Sequence, residues 1–216
     1  MKDMQNAFIH NVQLNIIKKQ ANFVVKTMRG ITDRIVLQTV KETAAAKAVA
    51  AFDELTEEQK TLLERITACA AEEEIADYLE SLEAYLIPFP EVTPNQIQKL
   101  FPKAKKLKVL ELAIVDYAHT TYLRWSDIAT NRLFIVYPYA DRLLGVEGRI
   151  TAANKRGFCM FCNRHRELGL FNVKKDGVSP DSFSSVGKYI CMDHEACNHS
   201  ITDTTALENF LLSVGK

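Results

Sequence analysis

From residue 1 to residue 87 apolar side chains recur every three or four positions, and the stretch holds one glycine, Gly30, and no proline. That period is the signature of amphipathic helices. It predicts a first helix from Asp3 to Met28, with Phe8, Val12, Ile16 and Phe23 near one face and Arg29-Gly30 as its stop. A second helix is expected from Thr32-Asp33 to Glu54. Thr56-Glu57-Glu58-Gln59 has capping-box spacing, so a third helix starts there and turns Leu62, Leu63, Ile66 and Cys69 inward. Glu72-Glu73-Glu74 suit the positive end of a fourth helix carrying Ile75, Leu79, Leu82 and Leu86. Four such stripes bury one another as a bundle, and its inward faces read as core.

The pattern breaks at Ile87-Pro88-Phe89-Pro90, because proline lacks a donor and turns its predecessor away from helical angles. We therefore expect two domains, 1–87 and 88–216. Thr93-Pro94 opens a short helix that ends before Pro102 and packs through Ile97, Leu100 and Phe101. From Thr120 to Ile150 the texture is β-branched and aromatic. Strands are expected at Thr121-Tyr122-Leu123, Leu133 to Tyr137 and Leu143 to Val146, with Pro138 to Arg142 as a hairpin loop. Trp125 to Asn131 reads as a segment between strands, with Trp125 as a core anchor. Further strands are expected at Leu168 to Val173 and Tyr189-Ile190, separated by a polar exposed loop from Lys174 to Gly187. Thr202-Asp203 caps a closing helix with Leu207, Phe210, Leu211 and Val214 along one side.

Composition narrows the function classes. The formal net charge is zero, which argues against a dedicated nucleic-acid binder, but the first 87 residues carry ten lysines and arginines against fourteen acids and the remainder seventeen against thirteen. No run of eighteen apolar residues exists, so no membrane span is expected, and Met1-Lys2-Asp3-Met4-Gln5 lacks the apolar region of a secretory leader. The cytoplasm is the expected compartment. Lys103, Lys105, Lys106 and Lys108 form a basic cluster that reads as solvated surface or as a contact to phosphate or to an acidic partner. There is no GxSxG elbow, phosphate loop, HExxH or dinucleotide glycine pattern, and Asp116 and His119 have no nucleophile at a recognisable spacing. No enzyme and no small-molecule substrate are expected.

The chemistry lies in the cysteines. Four of the five fall as Cys159-x2-Cys162, twenty-eight residues, then Cys191-x5-Cys197. A Cys-x-x-Cys turn converges two thiolates on one ion, and a second pair from another chain segment completes the tetrahedral shell of structural zinc. One such closed site leaves no position for an activated water. Disulfides would need an oxidising compartment, and a thioredoxin-like pair would leave Cys191 and Cys197 unused; His194 or His199 is the alternative to Cys197 as fourth ligand, and four sulfurs are the favoured set. Cys69, alone in a helical pattern, reads as a buried small hydrophobe. Phe158 adjoins one ligand, Tyr189 precedes another by two residues, and Phe210 arises from the closing helix. These aromatics either wrap the metal site or stand exposed as interface anchors. Lys155, Arg156, Arg164, His165, Arg166 and Lys188 offset the charge of the site and make its surface positive.

Lys155-Arg156-Gly157-Phe158-Cys159-x-x-Cys162-Asn163, Gly187-x-Tyr189-Ile190-Cys191-x-Asp193-x-x-x-Cys197-Asn198 and Thr202-Asp203 resemble the FusB-type elongation factor G-binding proteins, the fusidic acid resistance family of Gram-positive bacteria. The resemblance extends through Pro88-Phe89 and Trp125-x-x-x-Ala129-x-Asn131-Arg132. It implies an α+β chain: an N-terminal helical bundle, then an α/β domain whose treble-clef-like zinc finger (157–199) is held by Cys159, Cys162, Cys191 and Cys197. It also implies a non-enzymatic protein that binds elongation factor G and promotes its release from the ribosome when fusidic acid traps it there. The family's contact aromatics match Phe158, Tyr189 and Phe210; a basic contact falls on Val186 here, with Lys188 close by. The alternative function is a zinc-finger module acting on ribosomal RNA.

Overall fold

The computed structural model describes residues 6–104, 107–176 and 183–215. Lys105 and Lys106 of the basic cluster lie outside these residues, as do residues 177–182 of the expected loop and residues 1–5 of the expected first helix. Backbone contacts divide the chain into two units, Met1–Ile87 and Pro88–Lys216.

The first unit is helical: α1 (Asn11–Met28), α2 (Arg34–Val49), α3 (Glu57–Glu64) and α4 (Glu72–Ser81). Helix α1 starts at Asn11, after the expected Asp3, because Phe8 and Ile9 just before it bond to another segment. The amides of Phe8 and Ile9 donate to the Tyr85 carbonyl at 2.9 and 3.0 Å, and Ile87 donates to Ile9 at 2.9 Å. The buried face of α1 also differs from the expected one: Leu14, Ile17, Ala21 and Val24 point inward, whereas Phe23 is 54% exposed. Both stripes have a helical period. Burial falls on the one that includes the small Ala21, and α2 likewise buries its alanines Ala44, Ala45 and Ala48. Asp33 caps α2 through the Ile35 and Val36 amides at 2.8 and 3.3 Å. That helix stops at Val49, where Ala51 and Phe52 close i−3 turns that reverse the chain before Thr56. The Thr56 box holds reciprocally, with Gln59 N donating at 3.2 Å and Thr56 N at 2.9 Å. Tyr78 on α4 is buried and donates to the Leu63 carbonyl at 3.0 Å, tying α4 to α3.

In the second unit, α5 (Pro94–Leu100) is capped by the Thr93–Gln96 box. Five antiparallel strands follow in sheet order β1-β2-β3-β4-β5: β1 (Leu123–Asp127), β2 (Arg132–Tyr139), β3 (Arg142–Phe158), β4 (His165–Asp176) and β5 (Phe183–Cys191). Trp125 lies within β1, paired with Phe134 and stacked on it at 5.2 Å, while its indole N–H donates to the Lys108 carbonyl at 3.0 Å. Phe89, Val92, Ile97, Phe101, Leu123, Phe134 and Val136 form the core beneath this half of the sheet.

Strand β3 serves both halves. It pairs with β2 as far as Gly148 and with β4 from Arg149, and its register shifts between Ala152 and Arg156. Strands β4 and β5 reach Asp176 and start at Phe183, so the flanks of the expected Lys174–Gly187 loop are a paired ribbon. A two-stranded ladder needs backbone groups and no apolar alternation, which is why serines and lysines extend it unnoticed. The chain closes with α6 (His194–Asn198) and α7 (Thr205–Val214).

Candidate metal centre and the surface around it

The metal site is built where β3 turns into β4. Phe158 pairs with His165, and between them the Cys159 amide donates to the Arg164 carbonyl at 3.0 Å and Asn163 N to the Cys159 carbonyl at 2.9 Å. The residue that takes the left-handed conformation here is Asn163, at φ 51°. Gly157 instead provides room: a Cβ at that position would meet Leu168 Cδ1 at 2.9 Å. The second pair comes from the end of β5 and from α6. Asp193 caps α6 through the Ala196 amide at 2.9 Å, and this short helix carries Cys197 back to the knuckle.

All five cysteines are free thiols, and the four sulfurs of Cys159, Cys162, Cys191 and Cys197 lie within 4.8 Å of one another, all buried. The Cys159–Cys197 and Cys162–Cys191 separations are 3.9 and 3.6 Å. A tetrahedron with Zn–S bonds of about 2.3 Å has edges of about 3.8 Å, so the donor set fits one zinc ion with all four positions taken by protein. Four thiols this close cannot all ionise without a cation. Hydrogen bonds from Cys162, Cys191 and Cys197 hold the Cys159 thiol far below its ordinary pKa, whereas the Cys159 sulfur beside them pushes the Cys191 and Cys197 thiols up. The Phe161 and Cys191 amides add N–H···S contacts to Cys159 at 3.4 and 3.2 Å. This zinc is structural.

Two residues to which sequence reasoning gave no role brace the site, Arg124 and the Asn198 of the motif. Arg124 on β1 is only 5% exposed and donates to the Cys191 carbonyl at 2.5 Å and the Met192 carbonyl at 3.3 Å. Asn198 accepts from the Thr121 and Tyr122 amides at 2.7 and 3.2 Å and donates to the Tyr122 carbonyl at 3.1 Å. The two histidines weighed as ligands lie at the ends of α6. Burial, and then Arg124, hold the His194 pKa below its usual value, and the His199 ring sits 5.8 Å from His119.

Around the knuckle Phe158 is 68% exposed, Tyr189 40% and Met192 36%. Lys155 Nζ lies 3.9 Å from the Tyr189 ring centroid, and the Phe158 ring meets His165 edge-on at 5.5 Å. Lys188 is exposed on β5 and, two residues from Val186, shares that residue's face of the strand. Phe210 is placed otherwise than expected of a contact residue. It is buried at 3%, against Phe161 at 6.2 Å and Phe171 at 5.9 Å, because α7 turns this side of its stripe onto the back of the knuckle.

Comparison with known proteins agrees with this geometry. Residues 8–90 match the family model of the elongation factor G-binding protein N-terminal domain, and residues 99–209 match that of the FBP C-terminal treble-clef zinc-finger. The solved structure of the fusidic acid resistance protein FusC is similar, with a TM-score of 0.80 and 26% identity over 99% of this chain and 100% of that one. A comparison with curated proteins finds no match. Among the described residues no helix is long and apolar enough to cross a membrane. With a zinc-finger model covering more than half of its length and the helical model covering most of the rest, the chain belongs to the FusB-type family of elongation factor G-binding proteins.

Proposed function

We propose that this chain binds elongation factor G through the surface beside its zinc site and promotes release of the factor from the ribosome, giving tolerance to fusidic acid. The observation that carries the reading is the exposed Phe158–Tyr189 pair. Two aromatic rings stand in solvent on a backbone pinned by four metal ligands, with Lys155 against the Tyr189 ring. Exposed rings on a rigid support lose little entropy on docking, which is how interface anchors gain affinity. Phe210 contributes from behind, by holding Phe161 and the knuckle in place.

The action is binding and not chemistry. A bound partner shifts the equilibrium between ribosome-held and released factor only if its affinity for the two states differs. Calorimetry with purified elongation factor G checks the binding step: a one-to-one titration at micromolar concentrations is expected, and no heat from the wild-type chain would sink the proposal. Pelleting of ribosomes stalled by fusidic acid checks release, with the factor moving to the supernatant when the chain is added. An RNA-binding module would instead co-pellet with the ribosomes and lose them steeply as salt is raised.

A further inference from the structure

The exposed apolar residues are not scattered. Ten large hydrophobic side chains are exposed among the described residues; Phe158, Tyr189 and Met192 surround the knuckle, and Phe23, Ile31, Ile35 and Val36 fall within fourteen residues at the end of the α1–α2 hairpin. No residue from Val25 to Thr43 is buried, although the stretch is rich in valine, isoleucine, leucine and methionine. A clustered patch of this kind marks a docking surface, whereas single exposed residues do not.

Charge identifies the occupant. The segment 11–49 carries seven lysines and arginines against two acids, while 50–87 carries two against eleven. Lys19 and Lys26 lie four residues before and three after Phe23, on its face of α1, and Arg34 opens α2 beside Ile35; all three are exposed. Asp33, the acid nearest the patch in sequence, caps α2 with its carboxylate. Arg29 pairs with Glu72, in the first turn of α4, at 2.8 and 2.6 Å, so its charge is already offset. This end of the hairpin therefore presents exposed apolar side chains with cations beside them in the helices, complementary to an acidic protein surface. Nucleic acid fits it less well, because β-branched aliphatics offer bases no stacking platform and Phe23 is the sole aromatic of the four. A symmetric pairing of two such tips would place cations opposite cations.

We infer that the α1–α2 hairpin end, through Phe23, Ile31, Ile35 and Val36, is a second contact surface that docks on an acidic, apolar-centred patch of elongation factor G. This rests on the reading that the chain binds that factor. Binding through two surfaces makes the second contact intramolecular, so loss of either weakens the whole without abolishing it.

The test is calorimetric titration of purified elongation factor G with the full-length chain as wild type, as Phe23→Asp/Ile35→Asp, as Lys26→Glu/Arg34→Glu, and as the control Ile128→Asp. Ile128 is 93% exposed on the turn between β1 and β2, so its substitution leaves affinity unchanged. Both hairpin variants should keep the helical circular dichroism of the wild type and bind about tenfold more weakly. The deficit of the charge-reversed variant should shrink as salt is raised. Wild-type binding with hairpin variants equal to it overturns this inference and leaves the zinc-side surface standing; no wild-type binding overturns both. Co-sedimentation with phosphatidylserine vesicles that Ile35→Asp abolishes, with affinity for the factor unchanged, also overturns it, in favour of a lipid surface.

Discussion

Phe158 and Phe210 carry the same ring in opposite surroundings, so one substitution separates two roles. Phe158 is 68% exposed, and Phe158→Ala should leave stability within about 0.5 kcal/mol of wild type while weakening binding to elongation factor G roughly tenfold or more. Tyr189→Ala should do the same and also release Lys155 from its ring. Phe210 is 3% exposed, and Phe210→Ala opens a cavity against Phe161 and Phe171. A loss of about 3–5 kcal/mol is expected there, read as a lower melting temperature, with any loss of affinity following from the disturbed knuckle. Equal stability of the two phenylalanine variants would contradict this division. The difference was hidden in the sequence because a helical stripe such as Leu207, Phe210, Leu211 and Val214 shows which residues share a face. It does not show whether a given ring on that face ends in core or at an edge.

Between elements, the contacts that position the zinc site join distant parts of the chain. Arg124 on β1 reaches the Cys191 carbonyl 67 residues away, and Asn198 reaches the Thr121 amide across 77. Arg124→Met should leave two carbonyls unpaired and cost about 2–3 kcal/mol, and Asn198→Ala should cost a comparable amount by orphaning the Thr121 and Tyr122 amides. Both variants should also release zinc faster to a chromogenic chelator; unchanged release from either would remove it from the support of the site. These partners leave no local trace in the sequence, since a buried arginine looks like any other arginine. What was legible is local chemistry. Thr56, Thr93 and Asp33 each cap a helix within three residues, and the Cys-x-x-Cys turn and its partner pair announce a metal before any fold is known. The inward face of α1 lay between, because periodicity shows two helical stripes and only packing against the neighbouring helices decides which is covered. The β4–β5 ribbon was missed for the converse reason: its ladder is made by backbone, to which side-chain alternation is blind.

At the scale of the whole chain the metal divides the molecule into a part that depends on it and a part that does not. Residues 1–87 contain no member of the four-cysteine cluster and bury their own core of Leu14, Ile17, Val24, Leu63, Ile66, Ile75 and Leu82. Residues 88–216 use the metal to join the β3–β4 knuckle to β5 and α6, and metal binding coupled to folding in this way appears directly as stability. The one tryptophan, Trp125, lies in the second unit, whereas α1–α4 supply most of the helix, so fluorescence and far-ultraviolet circular dichroism report different units. Without chelator both units unfold in urea with zinc in place. With chelator, or in Cys159→Ser, the fluorescence transition should move to lower urea while the helical transition stays, and the two curves should cease to coincide. The same treatment should cost affinity for elongation factor G, because Phe158 adjoins one ligand and Tyr189 lies two residues before another. If both probes shift together, the helical unit depends on the metal too and the division is wrong. If neither shifts, the four sulfurs contribute nothing to the fold through a bound ion.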